Sequence, residues 1–309
     1  MSSDSYIAEL SSKQRWLLGV GGFVVIVLLV ALWWWQVYLS PSKVFWGMID
    51  SSLTAKSVVL ETSQSNGKDS IKETVHMDLG MANRVHSFTE LQQGMTKVKT
   101  EIVGTRDADY TRYVQVNSDK KNAAGKPADV SHVLNVWSKS DDQQQTQTQA
   151  SGHQSFSQAV LGVGLPLGSI PVPIGSLDAG QQKILSTKIR QENVYEPSLG
   201  SVKKSFKNGH LRYTFDVKIQ TIPYVRMMQL FAKDVGLHEL DGVDPNTYQS
   251  AQPMSVKLVV DAASRQLVRV NTGDEGYNQT YTAYGLPVQI TPPTSFISAA
   301  ELQKRLAEL

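Results

Sequence analysis

The apolar positions of this chain form one long run near its beginning and a series of alternating segments after it. Residues 16–35 contain no charged side chain, and the run continues past Gln36 to Leu39. At about 1.5 Å of rise per residue, a helix of this length spans the ~30 Å hydrocarbon core of a bilayer. The sequence therefore predicts a single transmembrane helix over residues 16–39.

Aromatic residues mark both ends of this run, with Trp16 at one end and Trp33, Trp34, Trp35 and Tyr38 at the other. Amphipathic rings of this kind prefer the membrane–water interface. The alternative is a cleaved signal peptide, which has an apolar region of about 7–15 residues followed by a small-x-small cleavage site. The run is longer than that and ends in tryptophans, so we predict a retained span.

The orientation of the span follows from the charges beside it. Lys13 and Arg15 lie directly before the apolar run, although two lysines also follow it, and long domains translocate largely regardless of loop charge. We take residues 1–15 as a short cytoplasmic tail. Residues 43–309 are then an extracytoplasmic domain, tethered to the cell membrane by one pass.

Beyond the span the pattern alternates between the helical period and the strand period. Apolar residues at helical spacing predict helices over 43–56, 129–140, 223–236 and 298–309. Alternating apolar and polar residues, punctuated by Gly, Asn and Asp, predict strands over 57–64, 71–78, 84–91, 96–103, 110–116, 211–219, 254–261, 266–271, 277–284 and 288–290. The Gln-rich tract within 141–155 has nothing to bury and predicts a mobile polar loop.

Many short strands and a few helices indicate an α+β fold. We expect one domain, in which a curved antiparallel sheet, or half-barrel, carries the helices on its concave face. No period of 20–50 residues recurs, so a solenoid is not expected.

Composition excludes several classes of function. The 309 residues include no cysteine, which rules out disulfides, Cys-ligated zinc and a lipidated cysteine anchor. Thirty basic and 28 acidic residues give a net charge of +2, without the strongly basic character of a nucleic-acid-binding domain.

The sequence contains no recognisable catalytic motif. The six histidines lack metal-ligand spacing, and histidines at strand positions such as His76 and His86 are more simply paired or solvent-facing. Ser-x-x-Lys occurs three times in a chain rich in both residues, without the motifs that accompany it in enzymes. We therefore predict no enzyme, no cofactor and no metal site.

An apolar segment broken repeatedly by Gly and Pro follows the polar loop. It is too irregular for a strand or helix and too apolar for a solvated loop, so it is either packed over one end of the core or forms a lid beside a hydrophobic cavity. The candidate ligand contacts in it are Leu161, Val163, Leu165, Leu167, Ile170, Val172 and Ile174. Met227, Met228 and Phe231 of the helix over 223–236 are further candidates, although core packing is the favoured role for these three.

The last third of the chain carries a family resemblance. Three segments resemble envelope lipoproteins of the LolA, LppX and LprG type. They are the strand ending at Asp261, the sequence Leu-Val-Arg-Val at 267–270, and the closing sequence Gly-Leu-Pro-Val-Gln-Ile-Thr-Pro-Pro at 285–293. The opening helix with Phe45 and Leu53, followed by the strand from Ser57, looks like the start of that family as well.

The resemblance implies a bacterial envelope protein whose half-barrel holds the acyl chains of lipids or lipoproteins. Two departures from the family are the missing lipidated cysteine and the retained span, which together argue against a soluble shuttle. We expect a membrane-anchored extracytoplasmic binding protein for a lipid, lipoprotein or other hydrophobic ligand, with the bilayer as a partner and no nucleic acid. The alternative is an envelope structural or sensing protein that binds a protein partner and has no ligand cavity.

Overall fold

The computed structural model describes residues 12–80, 83–117, 129–141, 156–161, 171–273 and 278–308. Its described helices are α1 (Ser12–Tyr38), α2 (Pro41–Leu53), α3 (Phe156–Leu161), α4 (Ala179–Gln191), α5 (Thr221–Asp234) and α6 (Ala299–Ala307). Two 3₁₀ turns lie at Leu199–Ser201 and Pro245–Tyr248.

The strands form one 13-stranded sheet. They are β1 (Ser57–Asn66), β2 (Asp69–Asp78), β3 (Arg84–Gln93), β4 (Thr96–Gly104), β5 (Ala108–Asn117), β6 (Ser138–Asp141), β7 (Tyr195–Pro197), β8 (Lys203–Lys207), β9 (His210–Ile219), β10 (Met254–Asp261), β11 (Leu267–Asn271), β12 (Asn278–Thr282) and β13 (Ile297–Ser298). Their order is β13-β6-β5-β4-β3-β2-β1-β12-β11-β10-β9-β7, with β8 also paired to β9. Only β13 and β6 pair in parallel among the described strands, so the fold is α+β with a large, mostly antiparallel sheet.

The strands form where apolar and polar residues alternate. In β9, for example, Tyr213, Phe215, Val217 and Ile219 are buried at every second position while the residues between them are more exposed. Because side chains alternate across a strand, this pattern places one face of the sheet against the core and the other face towards solvent. We call these the core face and the outer face.

The hydrophobic core lies between the core face and helices α2, α4 and α5. Helix α2 begins after Ser40 with Pro41 at its first position and buries Phe45 among other apolar residues. The Phe45 ring meets that of Phe215 in β9 edge-on, with centroids 5.4 Å apart. Edge-to-face contacts of this kind add to the energy of apolar burial, and they fix α2 across the sheet.

Two sequence predictions of local structure are wrong. Residues 129–140 form turns followed by β6, because Asn135 adopts a left-handed conformation (φ 57°) and Ser138–Asp141 pairs with β5. Residues 288–290 are not in a strand. Helices α3 and α4 and strands β7 and β8 were not expected, while residues 142–155 of the predicted mobile loop lie outside the described residues.

The predicted span overlaps α1. Judged on the residues that the structure describes, no helix combines the length and the apolar character needed to cross a membrane. The side chains of Trp16, Trp34 and Trp35 lie outside the described set, as do residues 1–11. Among the expected interface residues, Trp33 is exposed and Tyr38 is half-buried.

Candidate functional site

The ligand contacts predicted from the sequence divide into two groups. The described members are all buried, with at most 3% of each residue exposed, and belong to the one hydrophobic core: Leu161, Val172, Ile174, Met227, Met228 and Phe231. The others lie outside the described residues: Val163, Leu165, Leu167 and Ile170. The structure thus brings the first group together as packed side chains, and a ligand-binding role for these positions stays a prediction.

The segment after residue 170 is tied to α2 by its backbone. Gly175 donates its N–H to the Ser52 carbonyl at 3.1 Å, and Leu177 donates to the Leu53 carbonyl at 2.9 Å. A side chain at position 175 would come within 2.7 Å of the Phe231 ring. A glycine is therefore needed for this close approach, and the described part of the segment packs over the core.

A second apolar surface lies on the core face of β2 to β5, towards the far ends of these strands. Ile71 pairs with Leu91, Leu91 with Val98, and Val98 with Val116, so the four side chains form a row across four adjacent strands. Ile71 is 41% exposed and Leu91 38%, while Val98 and Val116 are half-buried. We call these four residues the apolar strip; exposed apolar side chains grouped in this way are typical of interaction sites.

A polar row separates the apolar strip from the core. It contains Glu73, Thr89, Thr100 and Tyr113, each paired with the next across β2 to β5. Glu73 is 7% exposed and accepts hydrogen bonds from Ser87 Oγ at 2.8 Å and Thr89 Oγ1 at 3.4 Å.

Burial governs the protonation of this row. It raises the pKa of Glu73, and the two hydroxyl donors lower that pKa by less. Burial also raises the pKa of the Tyr113 phenol. Both shifts favour the neutral acids, and a neutral carboxyl donates a hydrogen bond as well as accepting one. The row therefore places hydroxyl groups and one buried carboxyl group beside the apolar strip.

The outer face of the same strands carries a polar cluster. His86 is hydrogen-bonded to Glu101 at 2.8 Å, and Arg112 Nε donates to the second oxygen of Glu101 at 2.7 Å. His76 lies directly across the strand pair from His86. Burial lowers the pKa of His76 and the charge of His86 lowers it further, while Glu61 raises it.

These two histidines occupy strand positions, as the sequence indicates. Over the described ranges, no three His, Asp or Glu side chains are grouped so that they could hold a metal ion.

Two clefts open on polar surfaces. One, of about 330 Å³, lies between α2 and α4, where Asp50 accepts hydrogen bonds from Gln182 at 3.0 Å and Ser186 at 2.6 Å. The other, of about 510 Å³, lies against β9 to β12 and includes Lys257 and Asn271. None of the predicted ligand contacts that the structure describes lines either cleft. Their polar linings are unlike the mostly apolar pockets that bind hydrophobic ligands.

Comparison with solved structures finds chains of similar structure. The chain is similar to the crystal structure of LprF from Mycobacterium bovis, with 12% sequence identity and a TM-score of 0.38, over 82% of this chain and 96% of that one. No protein-family model matches the sequence, and no similar sequence was found among curated proteins.

Proposed function

We propose that this chain is a membrane-anchored, extracytoplasmic protein that binds a lipid or another hydrophobic ligand along the apolar strip. The observation that carries the proposal is the alignment of Ile71, Leu91, Val98 and Val116 across four strands, with the first two about 40% exposed. Apolar groups that leave water to cover such a row gain about 0.8 kcal/mol per buried methylene. Binding by partition of this kind involves no catalysis.

The geometry of the strip suits an extended alkyl chain. Neighbouring strands lie about 4.8 Å apart, so four strands give a row about 14 Å long. The polar row beside it, with the buried Glu73, supplies hydrogen-bonding groups for a polar group next to the alkyl chain. Open sheets of more than about ten strands usually curl, which supports the expected half-barrel with the strip on its concave side.

The membrane anchor is proposed from the first part of the chain. The uncharged run over 16–39 is long enough to span a bilayer. Phe23, Ile26 and Leu29 of α1 are each at least 60% exposed, and apolar side chains exposed along a helix favour a lipid environment. Lys13 and Arg15 favour a cytoplasmic N-terminus, which places the sheet outside the cytoplasm.

A photoactivatable fatty acid tests the ligand site. The full-length chain, reconstituted in phospholipid vesicles, is irradiated with a diazirine fatty acid and digested, and the modified peptides are identified by mass spectrometry. We expect modification within β2 to β5. The double variant Ile71→Asp/Leu91→Asp is expected to lose it, because charged side chains in the row oppose the burial of an alkyl chain.

The matched control is Phe88→Asp. Phe88 lies on β3 like Leu91 and is 43% exposed, but its partners in register place it on the outer face. This variant replaces one exposed apolar side chain by a carboxylate, as each substitution of the double variant does, and it is expected to keep the modification of β2 to β5. Equal modification of the wild type and the double variant would refute the strip as the binding site. A protein cross-linked to the outer face of this domain, with no fatty-acid adduct on the strip, would favour the alternative of a protein partner.

A further inference from the structure

The hairpin formed by β8 and β9 carries an unusual group of exposed side chains. The sequence Lys203-Lys-Ser-Phe-Lys207 has three lysines and no acidic residue, and all five residues are exposed. Phe206 is 75% exposed. The turn at Asn208-Gly209 has positive φ at both residues (52° and 80°), as a tight two-residue hairpin turn requires.

This hairpin lies beside the end of α1. Tyr213 of β9 donates its hydroxyl to the Leu39 carbonyl at 2.8 Å, one residue beyond the end of α1. The Lys204 ammonium lies 5.2 Å from the centre of the Tyr213 ring. Because side chains alternate along a strand, Phe206 shares a face of β8 with Lys204. The lysine and the phenylalanine therefore lie on the side of the hairpin where α1 meets the domain.

The junction between α1 and the sheet is fixed by packing. The Arg265 guanidinium lies over the Tyr38 ring, 4.2 Å from its centre. The same side chain covers Gly47 of α2 so closely that a Cβ at position 47 would collide with it. Cation–π contact and close packing of this kind restrict how far the sheet can turn relative to α1. The hairpin is thus held near the end of α1 rather than swinging on a loose linker.

We infer that the β8–β9 hairpin rests on the membrane surface, with Phe206 in the interfacial region and Lys204 beside it against anionic lipid headgroups. Lys203 and Lys207, on the other face of β8, reach the headgroups through their long side chains. The inference rests on the proposed membrane anchor and does not depend on ligand binding. Lysines close to a membrane are attracted to anionic lipids, and aromatic side chains favour the interface. Two separate signals, an anchor and a basic patch, then set the height and tilt of the sheet above the bilayer.

Single-cysteine labelling tests this contact, because the wild-type chain has no cysteine. The variant Phe206→Cys, carrying an environment-sensitive fluorophore, is reconstituted as the full-length chain in vesicles of phosphatidylcholine alone or mixed with phosphatidylglycerol. We expect a blue shift and quenching by lipids spin-labelled near the headgroup in the mixed vesicles. The charge reversal Lys203→Glu/Lys204→Glu/Lys207→Glu is expected to abolish both effects, and high salt is expected to weaken them.

The control position is Met95, in the turn between β3 and β4. It is 79% exposed, and the strand pairing places this turn at the opposite end of the sheet from residues 208–209. A label on Met95→Cys is expected to show no quenching in either type of vesicle.

Alkaline carbonate extraction of the same vesicles separates the two proposals. If carbonate releases the chain, both the anchor and the hairpin contact are refuted. If the chain stays in the membrane while the label at position 206 remains unquenched, the contact alone is refuted. Quenching that is equal with and without phosphatidylglycerol would overturn the role given to the lysines.

Discussion

Replacing Phe231 by alanine distinguishes a packed core from a ligand-lined cavity. The sequence offers Phe231 as a candidate ligand contact, although core packing is its favoured role. In the structure none of the Phe231 surface is exposed. Its ring lies against the backbone at Gly175, where a Cβ would stand 2.7 Å from two ring carbons. A ring so enclosed has no room for a ligand on that side.

The magnitude follows from this burial. Truncating a fully buried phenylalanine to alanine typically costs about 3–5 kcal/mol, because transfer energy is lost and a cavity remains. The comparison variant is Leu91→Ala in the apolar strip. Leu91 is 38% exposed, so its truncation removes less buried surface and leaves no closed cavity. We expect it to cost about 1 kcal/mol.

The assay is urea unfolding of the full-length chain in detergent micelles, followed by circular dichroism. The free energy of unfolding is obtained for the wild type, Phe231→Ala and Leu91→Ala, and similar slopes with denaturant indicate that the denatured states are comparable. Fatty-acid modification of β2 to β5 is measured on the same preparations. We expect Phe231→Ala to lose about 3–5 kcal/mol of stability and keep the modification. We expect Leu91→Ala to lose only about 1 kcal/mol and to weaken the modification.

The opposite pattern would refute this assignment. If Phe231→Ala unfolds no more easily than Leu91→Ala and loses the fatty-acid adduct, then Phe231 lines an open ligand site. The proposal for the apolar strip would then be wrong, and the helix positions that the sequence first suggested would take its place.

Two further predictions concern buried polar groups. Because burial raises the pKa of Glu73, the folded chain holds the proton of this carboxyl more tightly than the unfolded chain does. The stability gained in this way is fully present below the ordinary pKa of 4.5. It is lost as the pH rises through the raised pKa of the folded chain. Glu73→Gln should reduce the change of stability with pH, which is measured as the urea midpoint of unfolding from acidic to neutral pH. A variant whose midpoint changes with pH as much as that of the wild type would contradict the prediction. Tyr213→Phe removes the hydrogen bond from the tyrosine hydroxyl to the Leu39 carbonyl and leaves this buried acceptor unpaired. We expect the free energy of unfolding in urea to fall by about 1–3 kcal/mol. An unchanged free energy of unfolding would contradict this and show that water replaces the hydroxyl.

Periodicity predicted the strands and helices that bury a regular face. Strand β9 and helix α2 match the segments expected from alternation and from helical spacing, because in both the buried positions repeat with the period of the element. At the terminal helix α6, the Ser298 hydroxyl oxygen accepts a hydrogen bond from the Glu301 N–H and so caps the helix. The Glu301 carboxylate accepts a hydrogen bond from Arg305.

The errors arose where tertiary contacts outweigh a short pattern. Val133 and Trp137 have helical spacing, but pairing with β5 holds the residues after them in a strand. Helix α4 was missed because only three of its residues are buried, and Ile184 on its surface is 65% exposed. Its capping box at Asp178 and Gln181, fully formed in the structure, was the signal that could have found it.

The apolar strip depends on strand register, which composition and periodicity do not determine. Between Lys99 and Thr100 the pairing of β4 with β5 shifts by one residue, and Val114 is the extra residue on β5. Without this bulge Val98 would face Gln115, and Val116 would turn to the outer face, since a slip of one residue exchanges the two faces of a strand. The bulge therefore completes the row at its fourth strand. A continuous apolar surface thus arises from strands that each contribute one ordinary side chain, and only the folded sheet brings them together.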